Sequence, residues 1–206
     1  MPKSAALPIE PQKYRTIQKY VSLEAYFESE DKSITKHEYH DGIVKTMAGA
    51  KLRHNRLASR VIQQLENFVE ESNFNHIVSN SDTKIRIEDF NKVVYPDAVV
   101  ICETPQYFKN REDTITNPLL VVEVLSTSTA LKDRTSKFEY YRTLPSFKEY
   151  VLIYQDLNRV SVWTKQADGA WLPKDYIGDE STAVLHSLAG CPLSLARLYK
   201  IGRAHV

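Results

Sequence analysis

The apolar run Leu119-Leu120-Val121-Val122-Glu123-Val124-Leu125 is the stretch that decides the predicted fold. Its β-branched residues favour a strand, and its nearly continuous apolar character is typical of a central strand. A carboxylate inside such a run needs an explanation, because charged residues are rarely buried without a partner or a metal. A second run, Pro96-Asp97-Ala98-Val99-Val100-Ile101, carries another carboxylate. If the two runs are neighbouring strands, the acids converge on a hard oxygen site for Mg²⁺ or Mn²⁺.

The composition is that of an ordinary globular protein. The chain has 206 residues, 42% of them apolar and 26% charged, and its formal net charge is +1. With so little net charge, any contact with DNA has to come from a local basic patch. Cys102 and Cys191 match no metal spacing and are expected to be unpaired thiols of a cytoplasmic protein. No segment is long and apolar enough to span a membrane, so no membrane partner is predicted.

The pattern along the chain predicts one domain at residues 15–200, preceded by a flexible tail at 1–14. The polar stretch 103–117 is interpreted as a surface loop. The predicted order of elements favours an α/β (α+β) fold with a central mixed β-sheet flanked by helices. These elements are a helix at 22–30, a hairpin turning at Asp41-Gly42, a long helix from about 54 to 72, strands at 76–79, 83–87, 93–102 and 119–125, a helix from about 131 to 144, strands at 149–154 and 159–164, and a short helix near 193–199. Of these, the 83–87 strand is predicted to be half-buried.

Three residues are candidates for the chemistry. Asp97 and Glu123 are 26 residues apart, which fits adjacent strands joined by a polar loop. Each also has a structural interpretation: Asp97 as a strand-start residue after proline, Glu123 as the buried partner of an arginine or lysine. Lys137, on the following helix, could orient the attacking water and stabilise charge on a phosphate. Its alternative is an ordinary surface ion pair with Asp133, one helical turn away.

Two further residues are weaker candidates. Glu38 lies in a strand of the Asp41-Gly42 hairpin, and His54 lies near the start of the long helix. His54 shares a helix face with apolar residues, where a histidine is more often a satisfied core residue, although it could contact a phosphate. The chain has no nucleophile elbow, phosphate-binding glycine loop, zinc pattern or dinucleotide fingerprint.

The order and spacing of the motifs resemble the PD-(D/E)xK nuclease superfamily, and more narrowly the Uma-two family described as putative restriction endonucleases, which is abundant in cyanobacteria. The resemblance covers about residues 20–200. The matching stretches are Ser22-Leu23-Glu24-Ala25-Tyr26, His37-Glu38-Tyr39-His40-Asp41-Gly42, His54-Asn55-Arg56, Tyr95-Pro96-Asp97-Ala98-Val99-Val100 and Pro118 to Ser126, followed by Asp133, Lys137, Tyr140-Tyr141 and Glu149-Tyr150.

This resemblance implies a restriction-endonuclease-like fold and Mg²⁺- or Mn²⁺-dependent hydrolysis of phosphodiester bonds in DNA. Asp97 and Glu123 correspond to the metal-binding acids, with Val124 counted among the metal-site residues. The superfamily pattern would place lysine at position 125, where this chain has Leu125, and Lys137 is the expected substitute. The accessory positions are Glu38, His54 and Asp133. A homodimer is a further expectation, from the general tendency of such folds to pair.

The sequence also allows an alternative to the nuclease function. The chain could be a weak or inactive nuclease-fold module that binds nucleic acid or a protein partner, which the near-neutral charge and Leu125 favour. The Asp97/Glu123 pair favours the enzyme, because a module that only binds has no need of paired carboxylates. A purely structural dimerising domain is the third interpretation. Residues 201–206 resemble a translated sequencing adapter and are interpreted as a non-native C-terminal extension.

Overall fold

The structure is a computed structural model that describes residues 20–125 and 136–200. Four helices lie in these ranges: α1 Leu23–Glu30, α2 Leu52–Glu71, α3 Phe138–Tyr141 and α4 Leu195–Tyr199. The strands are β1 His37–His40, β2 Ile43–Thr46, β3 His76–Asn80, β4 Lys84–Ile87, β5 Lys92–Val94, β6 Ala98–Cys102, β7 Tyr107–Phe108, β8 Arg111–Ile115, β9 Pro118–Leu125, β10 Glu149–Tyr154, β11 Arg159–Lys165, β12 Trp171–Ile177, β13 Thr182–Leu185 and β14 Cys191–Ser194.

The strands form two six-stranded mixed sheets and one separate hairpin. The first sheet has the order β2-β1-β5-β4-β8-β7, the second has the order β12-β11-β10-β9-β6-β3, and β13 pairs with β14. Pairing is parallel between β4 and β8 and between β9 and β10, and the other pairs are antiparallel. The predicted α+β class with mixed sheets is therefore confirmed, although the strands divide between two sheets rather than one.

Strand β9 lies at the centre of the second sheet and is buried along its whole length. On one face, Leu57, Val61 and Leu65 of α2 pack against its apolar residues. On the opposite face, α3 packs over Val121 and Leu125. Because side chains alternate along a strand, Glu123 projects toward the α3 side, between Val121 and Leu125. The strand thus carries a carboxylate into the core beneath a helix.

The stretch 93–102, predicted as one strand, is two strands in different sheets, so that prediction is wrong. Strand β5 ends at Val94 in the first sheet, and β6 begins at Ala98 in the second. Pro96 explains the break, because proline has no N–H to donate to a ladder. Asp97 therefore lies where the chain passes from one sheet to the other. Its backbone N–H donates to the Val122 carbonyl at 3.2 Å, which joins this crossing to β9.

Two other predictions about this region are corrected. The stretch 103–117 is not simply a loop, since it contains β7 and β8. All four residues of β4 are buried, although the strand was predicted to be half-buried. Its charged side chains are buried because they are paired: Lys84 contacts Asp113 at 2.6 Å, and Arg86 donates to the Asn91 side chain at 2.9 Å. Polar alternation in the sequence therefore did not indicate solvent exposure.

Local signals at the turns and caps are confirmed. The Ser22 hydroxyl accepts a hydrogen bond from the Ala25 N–H, which caps α1. Asp41 and Gly42 both have positive φ angles, 46° and 84°, as the β1–β2 turn requires.

Cys102 and Cys191 are free thiols, so the predicted absence of a disulfide is confirmed. None of the helices in the described ranges is long and apolar enough to cross a membrane.

Only part of the predicted helix at 131–144 can be compared with the structure. Its described part, α3, ends at Tyr141, four residues before Pro145. Residues 126–135, and with them the accessory candidate Asp133, lie outside the described residues, as do the predicted tail at 1–14 and the suspected extension at 201–206.

Glu149 is a fully buried carboxylate with a structural role. Its oxygens accept hydrogen bonds from the Thr164 hydroxyl at 2.7 Å, the His186 N–H at 3.0 Å, and the N–H and hydroxyl of Ser187 at 3.1 and 2.7 Å. These four donors attach β10 to β11 and to the short 3₁₀ helix His186–Leu188. Glu149 thus helps to fix the sheet that contains β9.

Replacing Glu149 with glutamine is expected to lower the free energy of unfolding by about 2–3 kcal/mol, because the amide NH₂ would face donors that now bind an oxygen. Urea unfolding followed by circular dichroism measures the change. The matched control is Ser187→Ala, which removes one of the four donors and is expected to cost about 1 kcal/mol. A Glu149→Gln protein as stable as the wild type would contradict this role.

Candidate active site

Glu123 lies at the bottom of the candidate site, on the α3 side of β9. Its residue surface is only 5% exposed, yet three hydrogen bonds reach its carboxylate. Lys137 donates to Oε1 and Oε2 at 3.1 and 3.0 Å, and the Tyr141 hydroxyl donates to Oε1 at 3.0 Å. Both donors come from segment 137–141, which consists of Lys137 and α3. This segment therefore covers the buried Glu123 carboxylate and donates hydrogen bonds to it.

Burial dominates the protonation of Glu123. Loss of solvent raises its pKa to about 8, and the charges of Asp97 and Glu38 act in the same direction. The Lys137 ammonium opposes this rise but does not cancel it. The hydroxyl of Tyr141 is buried against the same carboxylate, and its own pKa is raised well above the ordinary value, first by burial and then by the charge of Glu123. Glu123 therefore carries a proton more readily than an exposed glutamate.

Lys137 connects Glu123 with Glu38, which reaches the site from β1. The Lys137 ammonium lies 3.0 Å from the nearer oxygen of Glu123 and 3.7 Å from Oε1 of Glu38. That Glu38 oxygen is buried, and no described residue donates a hydrogen bond to it. Although burial raises the pKa of Glu38, hydrogen bonding from His40 and the charge of Lys137 bring it below the ordinary value. One cation thus lies between two carboxylates from different sheets.

Asp97 lies beside this cluster at the sheet crossing. Two hydrogen bonds join Asp97 to β9: its N–H donates to the Val122 carbonyl at 3.2 Å, and its Oδ2 accepts from the Val124 N–H at 2.7 Å. Val122 and Val124 are the residues on either side of Glu123. The influence of the Asp97 charge on the pKa of Glu123 agrees with this placement. The two predicted metal-site acids are therefore neighbours in the fold.

His54, at the start of α2, approaches Asp97 from the other side. Its Nε2 lies 3.2 Å from Asp97 Oδ2, which also accepts a hydrogen bond from the Val124 N–H at 2.7 Å. The hydrogen bond to Asp97 raises the pKa of His54 against the effect of burial. The Nδ1 atom is buried without a hydrogen-bond partner. His54 and Val124 thus fix the orientation of the Asp97 carboxylate.

Sequence reasoning missed two neighbours of Glu38. His40 Nε2 lies 3.0 Å from Glu38 Oε2, and His40 Nδ1 lies 3.2 Å from the Lys92 ammonium. The i, i+2 spacing on a strand could have indicated His40, because it places both side chains on one face. Lys92 comes from β5, where it pairs with His40 across the ladder, and no local sequence signal indicates this.

Position 125 explains why the lysine comes from a helix. Leu125 is 2% exposed and packs with Tyr141 and the other apolar residues beneath α3. A side chain at 125 points to the same face as Glu123, and that face is the one that Lys137 approaches. Lys84, on β4, is another lysine that could have supplied the missing charge. Its ammonium is held elsewhere, by Asp113 on β8 and against the ring of Tyr95 at 5.3 Å.

Within residues 20–125 and 136–200, no group of three or more histidine, cysteine, aspartate or glutamate residues is already arranged to hold a metal ion. The Lys137 ammonium separates the carboxylates of Glu38 and Glu123. The oxygens of Asp97, Glu123 and Glu38 are nevertheless hard donors, which suit Mg²⁺ or Mn²⁺. The chemistry of these donor atoms therefore fits a divalent cation. Oε1 of Glu38 is one oxygen that could bind the cation.

Comparisons with known proteins show the family and the fold of this chain. Residues 23–196 match the family Uma2, described as "Putative restriction endonuclease". Two proteins of Synechocystis sp., the uncharacterized proteins sll1609 and slr1290, are each 34% identical to this chain. The first match spans 79% of this chain and 91% of the relative, the second 76% and 80%. A crystal structure of "a putative nuclease belonging to DUF820" from Anabaena variabilis superposes with a TM-score of 0.69 at 14% identity, covering 87% of this chain and 97% of that one.

Proposed function

The chain belongs to the Uma2 family of putative restriction endonucleases, and from this we propose that it is a divalent-metal-dependent DNA endonuclease acting at Asp97, Glu123 and Lys137. The observation that supports the proposal is that the Lys137 ammonium lies 3.0 Å from the Glu123 carboxylate, whose pKa the charge of Asp97 also raises. Two acids and a lysine close together suit metal-assisted phosphodiester hydrolysis. No sequence motif of another hydrolase class competes with this interpretation.

In the proposed site, Asp97 and Glu123 hold the cation, with Val124 beside them. A divalent cation at such a site supplies an activated water and Lewis-acid stabilisation of charge on the phosphate. Within residues 20–125 and 136–200 both side-chain contacts of Asp97 use Oδ2, so we assign Oδ1 to the cation. His54 acts as a positioning residue for Asp97. Glu38 is the accessory acid, with His40 holding its second oxygen.

Lys137 has two tasks in this proposal. Before the cation binds, its ammonium balances the charge of Glu123 and Glu38. In the reaction, it orients the attacking water and neutralises charge that develops on the phosphate. The Tyr141 hydroxyl keeps Glu123 Oε1 in place during both stages. Segment 137–141 therefore contributes a positioning group, Tyr141, and the proposed catalytic cation, Lys137, one helical turn apart.

The decisive experiment compares the wild type with Asp97→Ala on mixed DNA substrates. Cleavage is measured with Mg²⁺, with Mn²⁺ and with a chelator. We expect the wild type to cut DNA only when a divalent cation is present and Asp97→Ala to be inactive under every condition. Cutting by Asp97→Ala at the wild-type rate, or cutting in the chelator, would contradict the proposed site.

A second candidate function is supported by a specific observation. In the described part of the chain no three-residue metal cluster is preassembled, and the superfamily lysine position is a buried leucine. Both observations favour a nuclease-fold module that binds nucleic acid without cutting it. The same experiment decides between the two, since such a module would shift the mobility of DNA in a gel and leave it intact with either cation.

The pH dependence of cation binding follows from the protonation of Glu123. Its pKa is raised to about 8, so in the metal-free protein a proton competes with the cation below that pH. We expect Mn²⁺ affinity, measured by calorimetry without DNA, to rise by up to about 10-fold per pH unit between pH 6 and 8 and then to level off. Glu123→Gln, which cannot ionise, is the control and should bind weakly at every pH. Wild-type affinity that is constant from pH 6 to 8 would show that Glu123 is not a ligand.

A further inference from the structure

The N-terminal half of α2 carries a row of arginines that the proposed chemistry does not use. Arg53, Arg56 and Arg60 follow one another at i, i+3 and i+7, so they lie along one side of the helix. Arg197 of α4 and the following Lys200 lie beside them, and these basic residues line two adjoining depressions of about 270 Å³ each. We call this surface the basic stripe, defined as Arg53, Arg56, Arg60, Arg197 and Lys200.

The positive charge of the basic stripe is not balanced locally. Arg53 and Arg56 are exposed, and within the described ranges neither forms an ion pair with a carboxylate. Arg60 is partly buried and donates to the Leu198 carbonyl at 2.9 Å, which fixes α4 against α2. Burial and the nearby charge of Arg56 both lower the pKa of Arg60, so the arginines are close enough to repel each other. Such a cluster is unusual in a chain whose net charge is only +1.

Helix stability does not account for these arginines. The first turn of α2 contains no acidic residue and the last turn contains no basic residue. The basic residues lie in its N-terminal half, whereas Glu66, Glu70 and Glu71 lie in its C-terminal half. This distribution is opposite to the one that stabilises the helix dipole. The arrangement therefore costs stability, which indicates that the positive charge serves an external partner.

The basic stripe begins beside the proposed reaction centre. Arg53 directly precedes His54, whose ring lies 3.2 Å from Asp97. At 1.5 Å per helical residue, the Cα atoms of Arg53 and Arg60 are separated by about 10 Å along the axis. Duplex DNA carries one negative charge per about 1.7 Å of its axis, so a stripe of this length meets several phosphates. Guanidinium groups also match the geometry of phosphate oxygens.

We propose that the basic stripe binds the phosphate backbone of the duplex DNA that reaches the Asp97/Glu123 site, an inference that rests on the proposed function. The stripe supplies affinity and holds the duplex in register, and it reads no bases. Arg53 and Arg56 make the phosphate contacts nearest the reaction centre, and Arg197 and Lys200 extend them along the surface. Arg60 has a second, structural task in holding α4 and is therefore left unchanged in the test.

The test measures binding of a fluorescent 30-base-pair duplex to the full chain in a chelator, so that no cleavage can occur. Arg53→Glu/Arg56→Glu is expected to weaken binding by at least about 10-fold at 0.1 M salt and to reduce the slope of log affinity against log salt by about 2. Arg53→Lys/Arg56→Lys should bind nearly as the wild type does. The matched control is Lys148→Glu/Lys174→Glu, which makes the same charge change at two exposed lysines outside the stripe and should alter affinity less than twofold.

Folding does not obscure the result. Acidic residues in the first turns suit the helix dipole, so the glutamate variant should melt at the wild-type temperature or higher. The variant Arg53→Gln/Arg56→Gln gives a second measurement without charge reversal and should show the same reduction in salt slope. Unchanged affinity and salt slope in both variants, equal weakening in the control, or no wild-type binding to the duplex would overturn the proposal.

Failure of the inference can be separated from failure of the proposed function. A wild type that binds the duplex through the arginines but never cuts it would refute the nuclease and leave the basic stripe in place. A wild type that cuts DNA with divalent cations, beside arginine variants that cut with the same kcat/KM, would refute the stripe alone.

Discussion

Lys137→Ala is expected to reduce DNA cleavage by at least about 10²–10³-fold, the usual loss when one group that stabilises developing charge is removed. The proposed cation would still be held by Asp97 and Glu123, so Mn²⁺ binding should remain close to that of the wild type. Lys137→Arg should restore little activity. The planar guanidinium cannot take the position of a compact ammonium that lies 3.0 Å from Glu123 and 3.7 Å from Glu38.

The measurement is single-turnover cleavage at saturating cation, together with calorimetric titration of Mn²⁺. Lys148→Ala, at an exposed lysine near the opposite end of β9, is the matched control and should cleave at the wild-type rate. Full activity of Lys137→Ala would show that another cation fills the role. Lys84 is a poor candidate for it, since Asp113 binds its ammonium at 2.6 Å.

Lys137→Met is expected to lower the free energy of unfolding by about 3–5 kcal/mol at pH 8, because it leaves two buried carboxylates without their common cation. The loss should be much smaller at pH 5. The folded-state pKa of Glu123 is already raised above its unfolded value, so the native state binds the extra proton and stability falls as pH rises from about 4.5 to about 8. Without the ammonium, which opposes this rise, the folded-state pKa of Glu123 is higher still and the fall extends to higher pH.

Urea unfolding at pH 5 and pH 8 measures this difference. The double variant Lys137→Met/Glu123→Gln should recover much of the loss at pH 8, because the uncompensated charge is gone. Equal loss at both pH values would show that packing of the lysine stem, rather than its charge, matters.

The local parts of the fold could be predicted from the sequence. The Ser22 cap, the Asp41-Gly42 turn and the long amphipathic helix were recognised because each depends on residues close in the chain. The strand around Glu123 was recognised from its apolar run. The division of 93–102 between two sheets was missed, although Pro96 was visible, because which sheet a strand joins depends on distant partners.

The candidate site shows the same limit. A carboxylate in each of two apolar runs led to the expectation that Asp97 and Glu123 meet, and Asp97 is hydrogen-bonded to Val122 and Val124, on either side of Glu123. The links from Glu38 through His40 to Lys92 were not predicted, because they join β1 to β5 across the other sheet. Burial of β4 was also missed. A charged residue that the sequence pattern predicts to be exposed can be buried when its ion-pair partner is distant in the sequence. Lys84, which is paired with Asp113, is such a residue.

The hydrogen bond from the Val124 N–H to Asp97 Oδ2 makes that amide a natural spectroscopic reporter. Its ¹⁵N and ¹H chemical shifts depend on the charge and position of a single carboxylate, and the amide lies one residue beyond Glu123. A cation that draws Asp97 toward itself would move this resonance more than those of the surrounding strand. The same signal would report cation binding at Asp97 and binding of a duplex, in the wild type and in a His54 variant. None of these measurements requires that the protein cleave DNA.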